Sequence, residues 1–167
     1  ILGNKLGIQE DVIIKSLESF PGLERRMELL GERRGVKVYD DYAHHPTAIK
    51  TTLEGLRKEY PNNKILAIVE PHGYMRTKAL LPKYKGVFDS VDKVIIGPIF
   101  KARDAETFGM TPEKIAESSG HPNIQTENDV DELINNIKLI INNFDVVVVM
   151  GAGESDKWAK EICNLKI

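Results

Sequence analysis

The chain has 167 residues, 41% hydrophobic and 29% charged, with 23 basic and 25 acidic side chains giving a net charge of −2. By size and composition this is one ordinary globular domain, and its scattered Lys and Arg supply no global basic field for a nucleic-acid partner. No apolar run approaches the roughly 20 residues that cross a bilayer, and the single cysteine, Cys163, excludes an intrachain disulfide framework and suits a reducing, cytoplasmic setting.

The chain opens ILGNKLGIQEDVIIKSLESF, with no initiator Met and already inside a helical apolar pattern. It reads as a domain cut from a longer protein whose upstream neighbour is missing. Residues 9–19 read as an amphipathic helix, with Val12, Ile13, Leu17 and Phe20 near helical spacing. Pro21 and Gly22 break that pattern as a linker would. Met27–Leu30 and Val36–Tyr39 are short strand candidates joined by a polar GERRG turn, which predicts a hairpin. The next helix is expected at Thr47–Glu59, starting after Pro46 and stopping before Pro61.

Ile65–Val69, Val94–Ile96 and Val146–Met150 are apolar at every position, as strands covered on both faces are in a parallel sheet. Helices are expected at Thr111–Ser118, Asp129–Asn142 and Ser155–Asn164, the first marked by Pro112 just inside its start. This alternation predicts an α/β fold: a three-layer, open, mostly parallel sheet with Rossmann-like topology, preceded by a short hairpin. Ligands of such sheets bind beyond the carboxyl ends of the strands. The segments there are Asp40–Thr47, Glu70–Thr77, Gly97–Asp104 and Gly151–Lys157.

Asp40-Asp41-Tyr42-Ala43-His44-His45-Pro46-Thr47 gathers two acids and two imidazoles at a strand end. A carboxylate there can accept from a ribose hydroxyl, and an imidazole can donate to a phosphate or carboxylate. A plain strand-to-helix turn explains the same residues equally well. A zinc site fits poorly, because adjacent His side chains of an extended segment point apart and the other spaced ligands are missing; no metal site is expected. In Glu70-Pro71-His72-Gly73-Tyr74-Met75-Arg76-Thr77, Arg76 suits a carboxylate or phosphate, or else opens a solvated helix with Lys78. Gly151-Ala152-Gly153 follows the last strand rather than the first and lacks the full GxGxxG, so close strand-to-helix packing is the expected reason for these glycines. A GxxxxGK[ST] phosphate loop is absent.

Phe20-Pro21-Gly22-Leu23-Glu24-Arg25-Arg26-Met27-Glu28 followed by DDYAHHPT resembles the Mur ligase family at the start of its third domain, where F-x-G-x-x-R-R-x-E precedes a strand ending D-D-Y-x-H-H-P-T. The second motif is most similar to the members that take UDP-N-acetylmuramate directly and join it to L-alanine or to a recycled murein tripeptide. Glu70–Thr77 resembles the alanine-adding branch's Q-P-H-R-Y-x-R-T, with Glu for Gln and Gly73 where Arg is usual. Phe100–Asp104 resembles its Y-x-A-R-E, and Asp145–Gly153 its closing strand and G-A-G turn.

This resemblance implies an amide-forming enzyme of peptidoglycan synthesis with three domains, dependent on ATP and Mg2+. The N-terminal domain holds the UDP-sugar. The central domain carries the phosphate loop and most of the contacts to ATP and Mg2+. The third closes over the site with the amino acid, whose amine attacks an acyl phosphate of the muramoyl group. Residues 1–22 are then the end of the central domain and a linker, with Phe20–Gly22 as a hinge, and residues 23–167 are the C-terminal domain, inactive alone. Carried over by position, Arg26 contacts the nucleotide and Asp41 lies near the ATP ribose. His44 and His45 face phosphates and substrate as the catalytic imidazoles, while His45, His72 and Arg76 hold the amino-acid substrate. Tyr42 reads as packing, and Lys101 and Arg103 as either site cations or solvated loop residues. A stand-alone nucleotide-binding module is the competing class. A folate-type ligase fits less well, because of the doubled His and the DDYAHHPT match.

Overall fold

The computed structural model describes residues 2–20 and 22–165. Helices α1 (Leu2–Lys5) and α2 (Glu10–Glu18) come first, followed by the hairpin β1 (Glu28–Arg33) and β2 (Val36–Asp41). Then come α3 (Pro46–Glu59), β3 (Ile65–Val69), α4 (Tyr74–Leu80), β4 (Lys93–Ile96), α5 (Pro112–Ser119), β5 (Ile124–Thr126), α6 (Val130–Ile140), β6 (Val146–Met150) and α7 (Ser155–Cys163). The strands form one sheet in the order β1-β2-β6-β3-β4-β5. All its pairings are parallel except that of the edge strand β1 with β2. The carboxyl ends of the five parallel strands therefore share one edge.

Two apolar layers cover the sheet. Ile65, Ala67, Val69, Val146, Val148 and Met150 face α3, whose Ile49, Leu53 and Leu56 are buried with Phe88 and Ile115. Leu66, Ile68, Val147 and Val149 face the other way, against Leu133, Ile134 and Ile137 of α6 and Trp158 and Ile162 of α7. Strand side chains alternate between faces, so all-apolar strands require helices on both. Each fully buried Leu or Ile contributes roughly 1.5–3 kcal/mol.

Four local expectations are corrected. The hairpin turn is not the whole GERRG run: β1 continues to Arg33, and the turn is Arg34-Gly35, both at positive φ (49° and 85°), as a tight two-residue hairpin turn demands. That hairpin does more than precede the sheet, since β2 pairs with β6 along its length. The α-helix expected to Asn142 stops at Ile140 and tightens into a 3-10 turn over Ile141–Asn143. Helix α4 and strand β5 carry too little periodic pattern over seven and three residues to be seen in the sequence.

Helices α1 and α2 differ from the rest. They contain no buried residue, and Leu2, Leu6, Val12 and Leu17 are exposed. The hinge expected at Phe20–Gly22 includes Pro21, which lies outside the described residues. Among the described residues, no helix is long and apolar enough to cross a membrane.

Candidate active site

The carboxyl end of β2 is built around Asp41. Its Oδ2 accepts from the Met27 amide at 2.9 Å and its Oδ1 from the Ala43 amide at 2.8 Å, so the buried carboxylate fastens the junction to the strand end. The next residue, Tyr42, donates its amide to the Arg25 carbonyl at 2.7 Å. Tyr42 is not packing, as was expected, but an exposed ring. The guanidinium carbons of Arg25 and Arg26 lie 5.2 and 5.5 Å from its centroid, within cation–π range.

The two adjacent imidazoles take different roles. His44 Nδ1 is 3.0 Å from the Tyr42 carbonyl. A carbonyl only accepts, so Nδ1 donates and Nε2 is left outside that bond. His45 Nδ1 instead accepts from the Thr47 amide at 3.2 Å, capping α3 ahead of Pro46, and its Nε2 carries the hydrogen. Only His44 reaches the neighbouring loop, its ring centroid 5.6 Å from that of His72.

The loop after β3 pairs with the loop after β4: the Phe100 amide donates to the Pro71 carbonyl at 2.8 Å and the Gly73 amide to the Phe100 carbonyl at 2.9 Å. This fixes a row of rings, Tyr42, His44, His72 and Phe100, with successive centroids 5.3, 5.6 and 5.1 Å apart. His72 Nδ1 is buried without a hydrogen-bond partner. Burial, with the nearby charges of Arg76 and His44, holds the His72 imidazole below its usual range, so it is neutral at pH 7. Gly73, at φ 80°, turns the chain into α4 in a conformation that costs an L side chain strain. Beyond it opens a cleft of about 750 Å³ lined by His72, Gly73, Met75, Arg76, Phe100 and Arg103, among others.

The two junction arginines are distinct. Arg25 Nε lies 3.2 Å from Asp40 Oδ2, and its Nη2 donates to the Gly151 carbonyl at 2.8 Å and to Ser155 Oγ at 3.0 Å. Asp40 is 1% exposed, and burial raises its carboxyl above the usual range against the pull of Arg25. Arg26 is exposed. Sequence reading gave the junction role to Arg26 and missed Arg25, because R-R does not say which residue turns inward. The left-handed backbone at Arg25 (φ 54°) settles that only in three dimensions.

The turn after β6 is occupied from within. Glu70 accepts from the amides of Gly153 and Glu154, each at 2.8 Å. Burial pushes its carboxyl upward while these donors oppose the rise. A Cβ at Gly151 would stand 2.7 Å from Glu70 Cβ, and one at Gly153 would meet the Phe100 ring. Close approach thus accounts for both glycines. Among the described residues, no group of three or more His, Cys, Asp or Glu is placed to hold a metal ion.

Residues 25–153 match the profile of the Mur ligase glutamate ligase domain. The chain belongs to the Mur ligase family. Within the family, the UDP-N-acetylmuramate–L-alanine ligase of Aquifex aeolicus is 37% identical over 157 residues, covering 94% of this chain and 34% of that protein. The chain thus spans about a third of the length of the curated relatives it matches. The structure of the Thermotoga maritima UDP-N-acetylmuramate–alanine ligase superposes with a TM-score of 0.73 at 24% identity, over 96% of this chain and 34% of that one. At that identity the likeness shows the fold alone. A murein peptide ligase from Psychrobacter arcticus gives a TM-score of 0.71 at 27% identity, over 92% of this chain and 33% of its own. For this Mur ligase C-terminal domain, His72 and Arg76 line one cleft, and the His44 ring lies outside that lining, 5.6 Å from the ring of His72. Asp41 and His45 are engaged by backbone amides, and Arg26 stands beside Tyr42.

Proposed function

We propose that the chain is the C-terminal domain, residues 23–167, of an ATP- and Mg2+-dependent ligase that joins L-alanine to UDP-N-acetylmuramate in peptidoglycan synthesis, and that it is inactive alone. Residues 1–22 form the end of the central domain and the linker. The observation that carries this reading is that His72 and Arg76 line one cleft at the strand ends of a Mur ligase domain, with the His44 ring beside that of His72.

In this reading, Arg76 holds the carboxylate of the incoming amino acid with its planar fork. The neutral His72, which lines the cleft, and His44, its ring 5.6 Å away, flank the amine as it approaches the muramoyl acyl phosphate. Arg26 and the exposed Tyr42 meet the nucleotide. Asp41 keeps that edge in place, its remaining lone pairs facing the ribose, and the Nε2–H of His45 is a donor for a phosphate or substrate oxygen. Such work is positioning and charge stabilisation, worth several kcal/mol in the transition state. Mg2+ is assigned to the central domain, where it would neutralise the phosphates.

Gly73 favours a second reading. An Arg is usual at this position in the alanine-adding branch, and its absence leaves room for a longer substrate such as the murein tripeptide. The test joins the chain to the upstream domains of its parent reading frame and follows ADP release. Turnover that requires both UDP-N-acetylmuramate and L-alanine supports the first reading. Turnover with the tripeptide but not with L-alanine transfers the domain to the second.

A further inference from the structure

Arg76 and Arg103 line the same cleft, and among the described residues neither belongs to an ion pair. Arg103 is exposed, yet its backbone is anchored on both sides. Phe100 is fastened to Pro71 and Gly73 by two backbone hydrogen bonds, and the Asp104 amide closes a turn onto the Lys101 carbonyl at 3.1 Å. Asp104 Oδ2 then accepts from the Met75 amide at 3.2 Å, tying the loop to the first turn of α4, the helix that carries Arg76. Ala102, between the anchors, sits at φ 53°, so the turn is tight.

Gly73 belongs to this arrangement. A Cβ there would lie 3.4 Å from Asp104 Oδ2, beside the anchor, and its φ of 80° disfavours any side chain. A long side chain at position 73 would compete for the space that lets Asp104 reach α4.

We propose that Arg103 is a second carboxylate-binding residue of this cleft, acting together with Arg76. The assignment rests on reading the cleft as the amino-acid site. Two guanidinium groups converging from separate elements would bind one carboxylate more tightly and with more defined orientation than either alone. Lys101, exposed on the same loop but outside the cleft lining, has no such part.

The test follows the arginine side-chain Nε–H and backbone amide NMR signals of the 167-residue chain during titration with L-alanine, with equal sodium chloride as the ionic control. The expected result is that Arg76 and Arg103 shift together along one binding curve. Arg103→Ala should weaken binding about tenfold, the scale of one lost charge-assisted contact. Arg103→Lys should recover part of that loss, and Lys101→Ala should change affinity less than twofold. If Arg76→Ala abolishes binding while Arg103→Ala leaves it intact, the proposal is overturned and the amino-acid site survives with Arg76 alone. If neither arginine responds to L-alanine, the reading of the cleft as an amino-acid site fails and the proposal fails with it. An equal loss with Lys101→Ala would show general charge attraction and would also overturn it.

Discussion

Two regions lie side by side at the carboxyl edge of the sheet, and the protein treats them differently. At the β6–α7 turn most strong groups are answered from within: Glu70 takes the Gly153 and Glu154 amides, and Arg25 joins Asp40, the Gly151 carbonyl and Ser155, with Asp40 Oδ1 left without a partner. Around the cleft formed after β3 and β4, groups of the same chemistry are left unanswered among the described residues, namely the His72 Nδ1 and the Arg76 and Arg103 guanidiniums, and beside the loop after β2 the Tyr42–Arg26 pair is exposed. A helix N-terminus with glycines normally invites an anion, but here the anion is the protein's own Glu70. Capacity for a ligand is set by which polar groups the fold has not already satisfied, more than by how many are present.

Four substitutions sharpen this contrast, taken from the largest expected effect to the smallest. Arg25→Ala leaves the buried Asp40 without its partner and should cost about 3–5 kcal/mol, read as a lowered urea midpoint with unchanged slope. A loss under about 1 kcal/mol would show that the inner network is not structural. Gly153→Ala places a methyl against the Phe100 ring and 2.7 Å from Glu70 Oε2, an overpacking worth about 1–3 kcal/mol. Differential scanning calorimetry should record the drop in melting temperature.

The third prediction concerns pH. The Thr111 hydroxyl, helped by Asn128 and Thr126, holds the Glu113 carboxyl down from 4.5 to about 2. Because the folded value lies below the unfolded one, the stability it contributes is present above pH 4.5 and is lost as the pH falls toward 2. Glu113→Gln should therefore lower the urea midpoint at pH 6 and have a smaller effect at pH 3; an effect that grew at pH 3 would contradict the assignment. Smallest in stability is Arg76→Ala, which removes an exposed, unpaired cation and should stay within about 0.5 kcal/mol. Under the proposed function, the same change in the chain joined to its upstream domains should raise the KM for the amino acid at least tenfold. A large stability loss there would place Arg76 on the structural side of the comparison.

Much of this arrangement was legible in the residues. Strands β3 and β6 declared themselves because each is apolar at all five positions, which only two-sided burial explains. Pro46 and Pro112 marked two helix starts by fixing φ and lacking an N–H. The cluster DDYAHHPT and the pair His72 and Arg76 stood out by chemistry. The division of labour inside those motifs was hidden. Asp41 and His45 look like ligand groups by type, yet each is engaged by a backbone amide, a fact set by where the chain turns. Arg25 and Arg26 are chemically identical in sequence, and only the strand edge separates the half-buried one from the exposed one. Arg103 reaches the cleft of Arg76 through the pairing of Phe100 with Pro71 and Gly73, which no local period announces.

The most direct test of the contrast between the two regions is a backbone amide NMR map of the 167-residue chain with ATP. The account predicts shifts at Arg26, Tyr42 and His44–Thr47 and quiet amides over Gly151–Ser155, where Glu70 takes those of Gly153 and Glu154 and the Asp41 carbonyl that of Gly151. Shifts concentrated at Gly151–Ser155, with the 42–47 segment unmoved, would contradict it.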